Sequence, residues 1–365
     1  MIIDWLDKYG GAERVIGTFQ RIFSFDVVYT LANIMEKNDL QKIFPKGSEL
    51  INESPLRKLN KRFRVLFFLF HYFVRRIEID KDVELIFSSS HAVAKGVRKS
   101  NRNQLHISYF QARNFNYIWS DYELYFGKLR YVIHPVVYFL RKIDIRQSRN
   151  PDYIISNSVF VKDWVKAKYG RDSEVIYPPV DLSSFPLEIH KQDYYVAVGR
   201  LVHVKRFDLA IKAFNGSNRK LYIIGDGDQY ANLKKMAFDN IVFLGFLESS
   251  EVSKYIQNAK GFIQTGVEGF GIAPIEAQAC GTPVIAYGAG GVLETVINKK
   301  TGVFFDTQTV ESLENAIERF EKIQFDANKI RKNALRFSLE RFENEIVAFV
   351  KDKWDMHKKM TASKE

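Results

Sequence analysis

A single cysteine, Cys280, stands in 365 residues, so no disulfide can close within the chain and a reducing compartment is expected. Long apolar runs are missing too. Spanning a bilayer takes about 20 apolar residues, whereas the longest candidate, VLFFLFHYFV from Val65 to Val74, is far shorter and contains His71. No basic end with an apolar stretch and a small-residue cleavage site marks the start, and the expectation is a cytoplasmic protein. No cysteine–histidine cluster has metal-ligand spacing. No Asp-x-Asp pair follows a strand in the way that would hold a metal on a diphosphate. The Asp226–Asp228 run falls in a turn and is accounted for by turn chemistry. In IIGDGDQ, Gly225 and Gly227 supply half of a dinucleotide fingerprint without its third glycine, which leaves hydride transfer unsupported. Internal repeats and low-complexity blocks are absent.

What is present is length enough for two cores, with 46% apolar residues to fill them. Short β-rich runs alternate with helical ones, which predicts an α/β protein with parallel sheets. FDVVYT, ELIFSSS, QLHISYF and YIISNS read as strands of the first half, and EVIYPPVD as a strand stopped by two prolines at a boundary. YYVAVGR, KLYIIGDGD, NIVFLGF, GFIQTG and TPVIAYG read as strands of the second. The predicted domains are residues 1–176 and 177–340, with a charged helical tail over 341–365. Such a pair leaves a cleft at the carboxyl ends of the strands, where open α/β sheets bind ligands. The start, MIIDWLDKYGGAERV, offers barely a strand, so either the first strand is short or the true start lies upstream.

The formal charge is +11, with much of the basic excess in the first half. There RKLNKRFRVLFFLFHYFVRR and KLRYVIHPVVYFLRK interleave Lys and Arg with aromatic and aliphatic residues. Two readings fit: buried helices with solvated ends, or a face for an anionic membrane surface. Nothing resembles a reading helix or an RNA-stacking motif, so a nucleic-acid partner is not expected.

Three segments could carry chemistry. In VEGFGIAPIEAQACGTPVIAYGAGG, Pro274 fits a first helical turn and Gly281 with Pro283 its end, predicting a helix from Pro274 to Cys280. Free amides at such a start attract an anion. Glu268 precedes that turn and Glu276 lies in it; carboxylates flanking an anion site suit a ligand made of sugar, phosphate and sugar. The dipole alone could also account for both. In VGRLVHVKR, Gly199 ends a strand, Arg200 offers a planar fork for phosphate oxygens, and Lys205 a mobile charge. In YGGAER, Gly10 and Gly11 lead into a helix from Ala12 and let the backbone approach a ligand closely.

Together with SSSHAVAKGV, NSVFVKDWVKAKYG and VIYPPVDLSSF, these segments resemble, in order and over nearly the whole chain, glycosyltransferase family 4. The nearest flavour is the mannosyltransferases that build bacterial O-antigen and other surface polysaccharides. The resemblance implies a GT-B fold: two Rossmann-like domains facing across a cleft, the first on the acceptor side, the second binding a nucleotide sugar, and the tail helix crossing back to the first. It implies a retaining, metal-independent transfer without cofactor, the donor being a nucleotide sugar (GDP-mannose, or alternatively a UDP-sugar). It implies that Arg200 and Lys205 grip the donor diphosphate, Glu276 the ribose and Glu268 the sugar, beside the backbone of Phe270, Gly271, Ile272 and Ala273. Gly11 would bring an amide to the phosphate, and His91 would lie near the transferred sugar unless it is simply structural. Relatives commonly carry a histidine where Gln111 stands; glutamine cannot take a proton, so Gln111 and Arg113 are left to orient donor or acceptor. The implied acceptor is a glycan on a polyprenyl diphosphate at the anionic inner face of the cytoplasmic membrane, with the protein peripheral there. An epimerase, a phosphorylase or a non-catalytic glycan- or membrane-binding protein are the other readings.

Overall fold

The computed structural model describes residues 1–119, 122 and 126–362; the last three residues of the predicted tail lie outside them. The chain divides into two compact units, Met1–Tyr177 with Glu343–Glu365, and Pro178–Phe342. The tail is one helix, Leu339–Ala362, whose residues from Glu343 onward count with the first unit. There Glu343 pairs with Arg21 at 2.8 Å, and His357 Nε2 stands 2.9 Å from the Asn103 carbonyl.

The first unit holds a parallel sheet of β1 (Ile2–Ile3), β2 (Val28–Thr30), β3 (Ile51–Glu53), β4 (Leu85–Ser90), β5 (Leu105–Phe110), β6 (Tyr153–Ser156) and β7 (Glu174–Val175). Their order is β3-β2-β1-β4-β5-β6-β7. β5 is buried along its whole length, as expected of a parallel strand covered on both faces. The first strand is short: β1 has two residues, and Ile2 aligns with Tyr29 on one side and Ser88 on the other.

The second unit holds β8 (Gln192–Val198), β9 (Leu221–Ile224), β10 (Ile241–Gly245), β11 (Ala259–Gln264), β12 (Val284–Tyr287) and β13 (Gly302–Phe305), parallel and ordered β10-β9-β8-β11-β12-β13. Its helices follow from sequence spacing. In Val310–Glu321 the buried residues are Leu313, Ala316, Ile317 and Phe320, the i, i+3, i+4, i+7 stripe of a half-buried helix. Thr309 caps it, its hydroxyl accepting from Ser312 N at 3.3 Å. Those four residues join Tyr195, Phe214, Ile223 and Phe305 in one cluster; burying each large side chain contributes about 1.5–3 kcal/mol.

In both sheets the strand order reverses between the first strand and the fourth, at β1/β4 and at β8/β11. A doubly wound sheet offers its ligand crevice beyond the carboxyl ends of the strands at that point.

The basic-aromatic segments are not a pair of buried helices. Pro55–Leu69 is a run of 3₁₀ turns broken at Asn60 and Leu66, with only Leu56 and Phe63 buried, and a short α-helix, Phe70–Arg75, follows. Arg130–Gln147 is one α-helix, with Pro135 inside it, that buries Val137 and Leu140. Each also turns large apolar residues outward: Val65 is 71% exposed and Val132 75%.

Candidate functional site

The switch point of the second unit gathers the predicted cations and one of the predicted glutamates. β8 ends at Val198, and Gly199 to Leu201 turn across the neighbouring strand end. A Cβ on Gly225 would stand 1.9 Å from the Gly199 carbonyl oxygen, and one on Gly227 2.3 Å from that of Leu201. The glycines of IIGDGDQ thus serve a backbone-to-backbone approach. Leu201 N donates to the Asp226 carbonyl at 3.0 Å and Gln229 N to the Leu201 carbonyl at 2.9 Å. This fixes the loop and leaves the Arg200 side chain exposed at the strand end.

Lys205 closes a single 3₁₀ turn, His203–Lys205, and the Thr265 hydroxyl donates to its carbonyl at 2.9 Å. That bond ties the Lys205 loop to the end of β11. Lys205 Nζ forms an ion pair with Glu268 Oε1, and Gln264 Nε2 donates to the same oxygen at 2.9 Å. Glu268 is also gripped through its backbone: Gly291 N donates to its carbonyl at 3.0 Å, and a Cβ on Gly291 would stand 2.4 Å from Phe270 Cα. The glycine cluster after β12 therefore packs the Glu268–Phe270 turn, with no room for a side chain. Next to Lys205, Arg206 is engaged by Asp208 at 3.0 Å and by Gln308.

Burial acts to raise the Glu268 carboxyl, but the Lys205 charge and hydrogen bond, the Gln264 amide and the Arg200 charge outweigh it, and the net shift is downward. Glu268 keeps 25% of its side-chain surface and stays ionised at neutral pH. A carboxyl lowered in the folded state adds stability above its unfolded value, which is lost as pH falls through the folded one. Lys205→Ala leaves burial opposed only by the weaker partners. The Glu268 titration midpoint, followed by carboxyl-carbon NMR, should move up in that variant and stay low in Lys205→Arg.

The following helix spans Ile272–Ala279 and so starts two residues before Pro274. Pro274 is its third residue, still within the first turn where no N–H partner is lost. Glu276 is consequently in the second turn rather than the first, and it is only 3% exposed. The Phe270 ring is buried edge-on to Phe337 at 5.4 Å, so what this residue offers outward is backbone. Gly271 caps the helix start, and Ile272 and Ala273 are partly exposed.

In the first unit the remaining candidates lie at the carboxyl ends of β1, β4 and β5. Gly11, rather than Ala12, is the first residue of the helix Gly11–Phe23. His91 follows β4, its ring 4.3 Å from that of Trp5 and its Nδ1 3.3 Å from Asp4 Oδ2. Gln111 Nε2 donates to the Ser89 hydroxyl at 3.0 Å, and the Arg113 guanidinium lies over the Phe160 ring at 5.1 Å.

Sequence reasoning passed over Asp4. Its buried carboxylate accepts four backbone N–H bonds, from His91 at 2.6 Å, Ala92 at 2.8 Å, Val93 at 2.6 Å and Ala94 at 2.7 Å. The available signal was an acidic residue directly after a strand and before a tryptophan, in a segment read for its short strand and its glycines.

Known proteins accord with this architecture. Residues 181–337 match the family described as Glycosyl transferases group 1. Over 220 residues the chain is 26% identical to the O-antigen chain mannosyltransferase RfbU of Salmonella typhimurium, covering 57% of this chain and 61% of that protein. Over 140 residues it is 33% identical to a GDP-mannose-dependent alpha-(1-6)-phosphatidylinositol monomannoside mannosyltransferase of Mycolicibacterium smegmatis, covering 33% of this chain and 37% of the relative. Both matches span less than two thirds of the relative's length. Among solved structures, sucrose-phosphate synthase from Thermosynechococcus elongatus aligns with a TM-score of 0.67 at 16% identity, covering 98% of this chain and 100% of the other. Anabaena Alr3699/HepE in complex with UDP and glucose gives a TM-score of 0.65 at 16% identity, covering 96% and 100%. Likeness at that identity speaks for the fold, two parallel αβ sheets in the GT-B manner. The chain therefore has a GT-B fold and resembles the O-antigen mannosyltransferases, and its residues 181–337 match glycosyl transferases group 1.

Proposed function

We propose that this protein is a retaining glycosyltransferase that moves mannose from GDP-mannose onto a glycan carried by a polyprenyl diphosphate, in surface-polysaccharide synthesis. The observation that carries the reading is the exposed Arg200 beside the Lys205–Glu268 pair at the β8/β11 switch point. Two cations there suit a diphosphate, and an ionised carboxylate suits the hydroxyls of a sugar.

In the reaction the acceptor oxygen bonds to the anomeric carbon on the face from which the bond to the diphosphate oxygen breaks. The departing diphosphate takes the bonding electron pair and then the acceptor's proton. Arg200 and Lys205 stabilise the charge growing on that leaving group, which is electrostatic work for fixed donors. Lys205 is held for it by Glu268, and Glu276 with the Phe270–Ala273 backbone orients the rest of the donor. From the first unit, Gly11 offers an amide to the donor phosphate, His91 lies near the transferred sugar, and Gln111 and Arg113 orient donor or acceptor. Because the two cations supply the neutralisation, no metal is required, and transfer should persist undiminished in excess EDTA.

Mannose is favoured by the names of the two relatives, and UDP in the Alr3699/HepE structure supports a UDP-sugar as the second reading. No helix among the described residues is long and apolar enough to cross a membrane. The outward basic-aromatic segments support peripheral attachment at the inner membrane face. Calorimetric titration with GDP-mannose, UDP-glucose and UDP-N-acetylglucosamine tests the donor: heat from GDP-mannose alone is expected. Binding of a UDP-sugar alone replaces the mannosyl reading, and binding of none removes the transferase one.

A further inference from the structure

We propose that an open pocket beyond the carboxyl end of β2 receives the diphosphate of a prenyl-linked carrier, with the chain beside it meeting the apolar layer. The proposal rests on the lipid-linked acceptor of the preceding reading and adds where that acceptor is held. The pocket, of about 620 Å³, is lined by Asn33, Ile34 and Met35 on one side and by Arg57 and the run Leu59–Arg62 on the other. No carboxylate lines it. Glu53, the nearest acid along the chain, is occupied by Arg57 at 3.2 Å and by Asn33 N at 2.7 Å. Lys61 and Arg62 are exposed, and neither has an ion-pair partner among the described residues. Two unpaired cations beside the Arg57–Glu53 pair, around one concavity, suit a compact polyanion, and a guanidinium grips phosphate oxygens two at a time.

The backbone contributes as well. Asn60 stands at φ +47° and ψ −137°, breaking the 3₁₀ run between Arg57 and Lys61 and delivering both sides of the break to the same pocket. A non-glycine residue held at positive φ costs free energy and persists where the surroundings demand it, often at binding sites.

A lipid is the source because of what adjoins the cations. Side chains three apart eclipse on a 3₁₀ turn, so Arg62 and Val65 stand one above the other; Phe68, past the break at Leu66, is exposed as well. Leu59, in the pocket wall, is exposed too. The helix Arg130–Gln147, whose Val137 shares a core cluster with Phe63 and Phe70, adds exposed Tyr131, Val132 and Phe139. A site for free phosphate needs no such apolar apron, and attachment to headgroups at large needs no pocket.

The test uses the full chain and farnesyl diphosphate in dodecyl maltoside micelles, with farnesol, inorganic pyrophosphate and phosphatidylglycerol vesicles as the other arms. Farnesyl diphosphate is expected to bind at least tenfold more tightly than pyrophosphate, farnesol not at all, and the vesicles to leave that preference intact. Lys61→Ser/Arg62→Ser should lose at least tenfold in affinity with an unchanged melting temperature, and Arg62→Glu alone should lose as much. Arg200→Ala should bind the probe like the wild type. Wild-type affinity in the charge variants, pyrophosphate as tight as the prenyl compound, full competition by phosphatidylglycerol, or a loss in Arg200→Ala instead would each overturn the assignment. The donor reading is scored separately by GDP-mannose calorimetry, which the two surface variants should leave unchanged.

Discussion

Replacing Arg200 with alanine is expected to lower the turnover of sugar transfer by about 10²–10³-fold, the usual effect of deleting one donor aimed at charge that develops in a transition state. The size follows from the division of labour at the strand ends. Lys205 is already committed to Glu268, so on the proposed reading its charge is shared between a carboxylate and the incoming diphosphate. Arg200 has no carboxylate or amide bound to it among the described residues, so on the proposed reading its charge falls undivided on the leaving group. Arg200→Lys keeps the charge but loses the planar fork, and should recover only part of the loss. Arg206 cannot substitute, because Asp208 and Gln308 hold it. Turnover and nucleotide affinity, measured by initial rates of labelled-sugar transfer and by calorimetry, should both fall. Turnover should fall further, since the charge being stabilised grows as the bond breaks. Near-normal transfer by Arg200→Ala would remove the diphosphate from this strand end.

Much of this site could be read from residue order. The strand runs before Gly199 and around Gly225 are apolar and β-branched, and parallel strands buried on both faces look like that. One edge strand of each sheet was less visible. β3, INE, is short and polar, and β13, GVFF, follows a lysine-rich loop; neither shows the alternation or length that marks a strand. The helix carrying Glu276 began early because the free φ of Gly271 caps it before Pro274 is reached. What a linear reading could not supply were contacts between distant segments. Lys205 meets Glu268 only because β8 and β11 are neighbours across a reversal of strand order. The glycines of IIGDGDQ resembled a phosphate loop, yet their bare Cα atoms are used by the adjoining backbone. The basic-aromatic segments needed the fold most. Period alone fitted both a buried and an outward helix, and the break at Asn60 has no periodic signature.

Asp4→Ala should be among the most damaging single substitutions in the first unit, at about 3–5 kcal/mol, because several buried backbone donors lose their acceptor at once. The carboxylate satisfies four consecutive amides of the His91–Ala94 turn, and each amide left unpaired in a buried setting costs about 1–3 kcal/mol, less whatever water recovers. Asn in its place keeps one acceptor oxygen and turns an NH₂ group toward donors, so Asp4→Asn should lie between. A chain of two units need not unfold in one step. The direct readout is therefore amide hydrogen exchange at His91–Ala94, where protection should collapse in Asp4→Ala while β11 in the second unit keeps its own. Wild-type protection of the turn in Asp4→Ala would show that the carboxylate is dispensable. On the proposed reading the consequence reaches function, because His91 is aligned by the same carboxylate and by the Trp5 ring. It also accounts for an asymmetry between two sheets of like order. The strand ends leave a crevice in each sheet, and free amides of the turns beyond them favour an anion; in the first unit the chain's own aspartate takes those amides at β1/β4, while on the proposed reading the β8/β11 crevice keeps Arg200 and Lys205 for a ligand from outside.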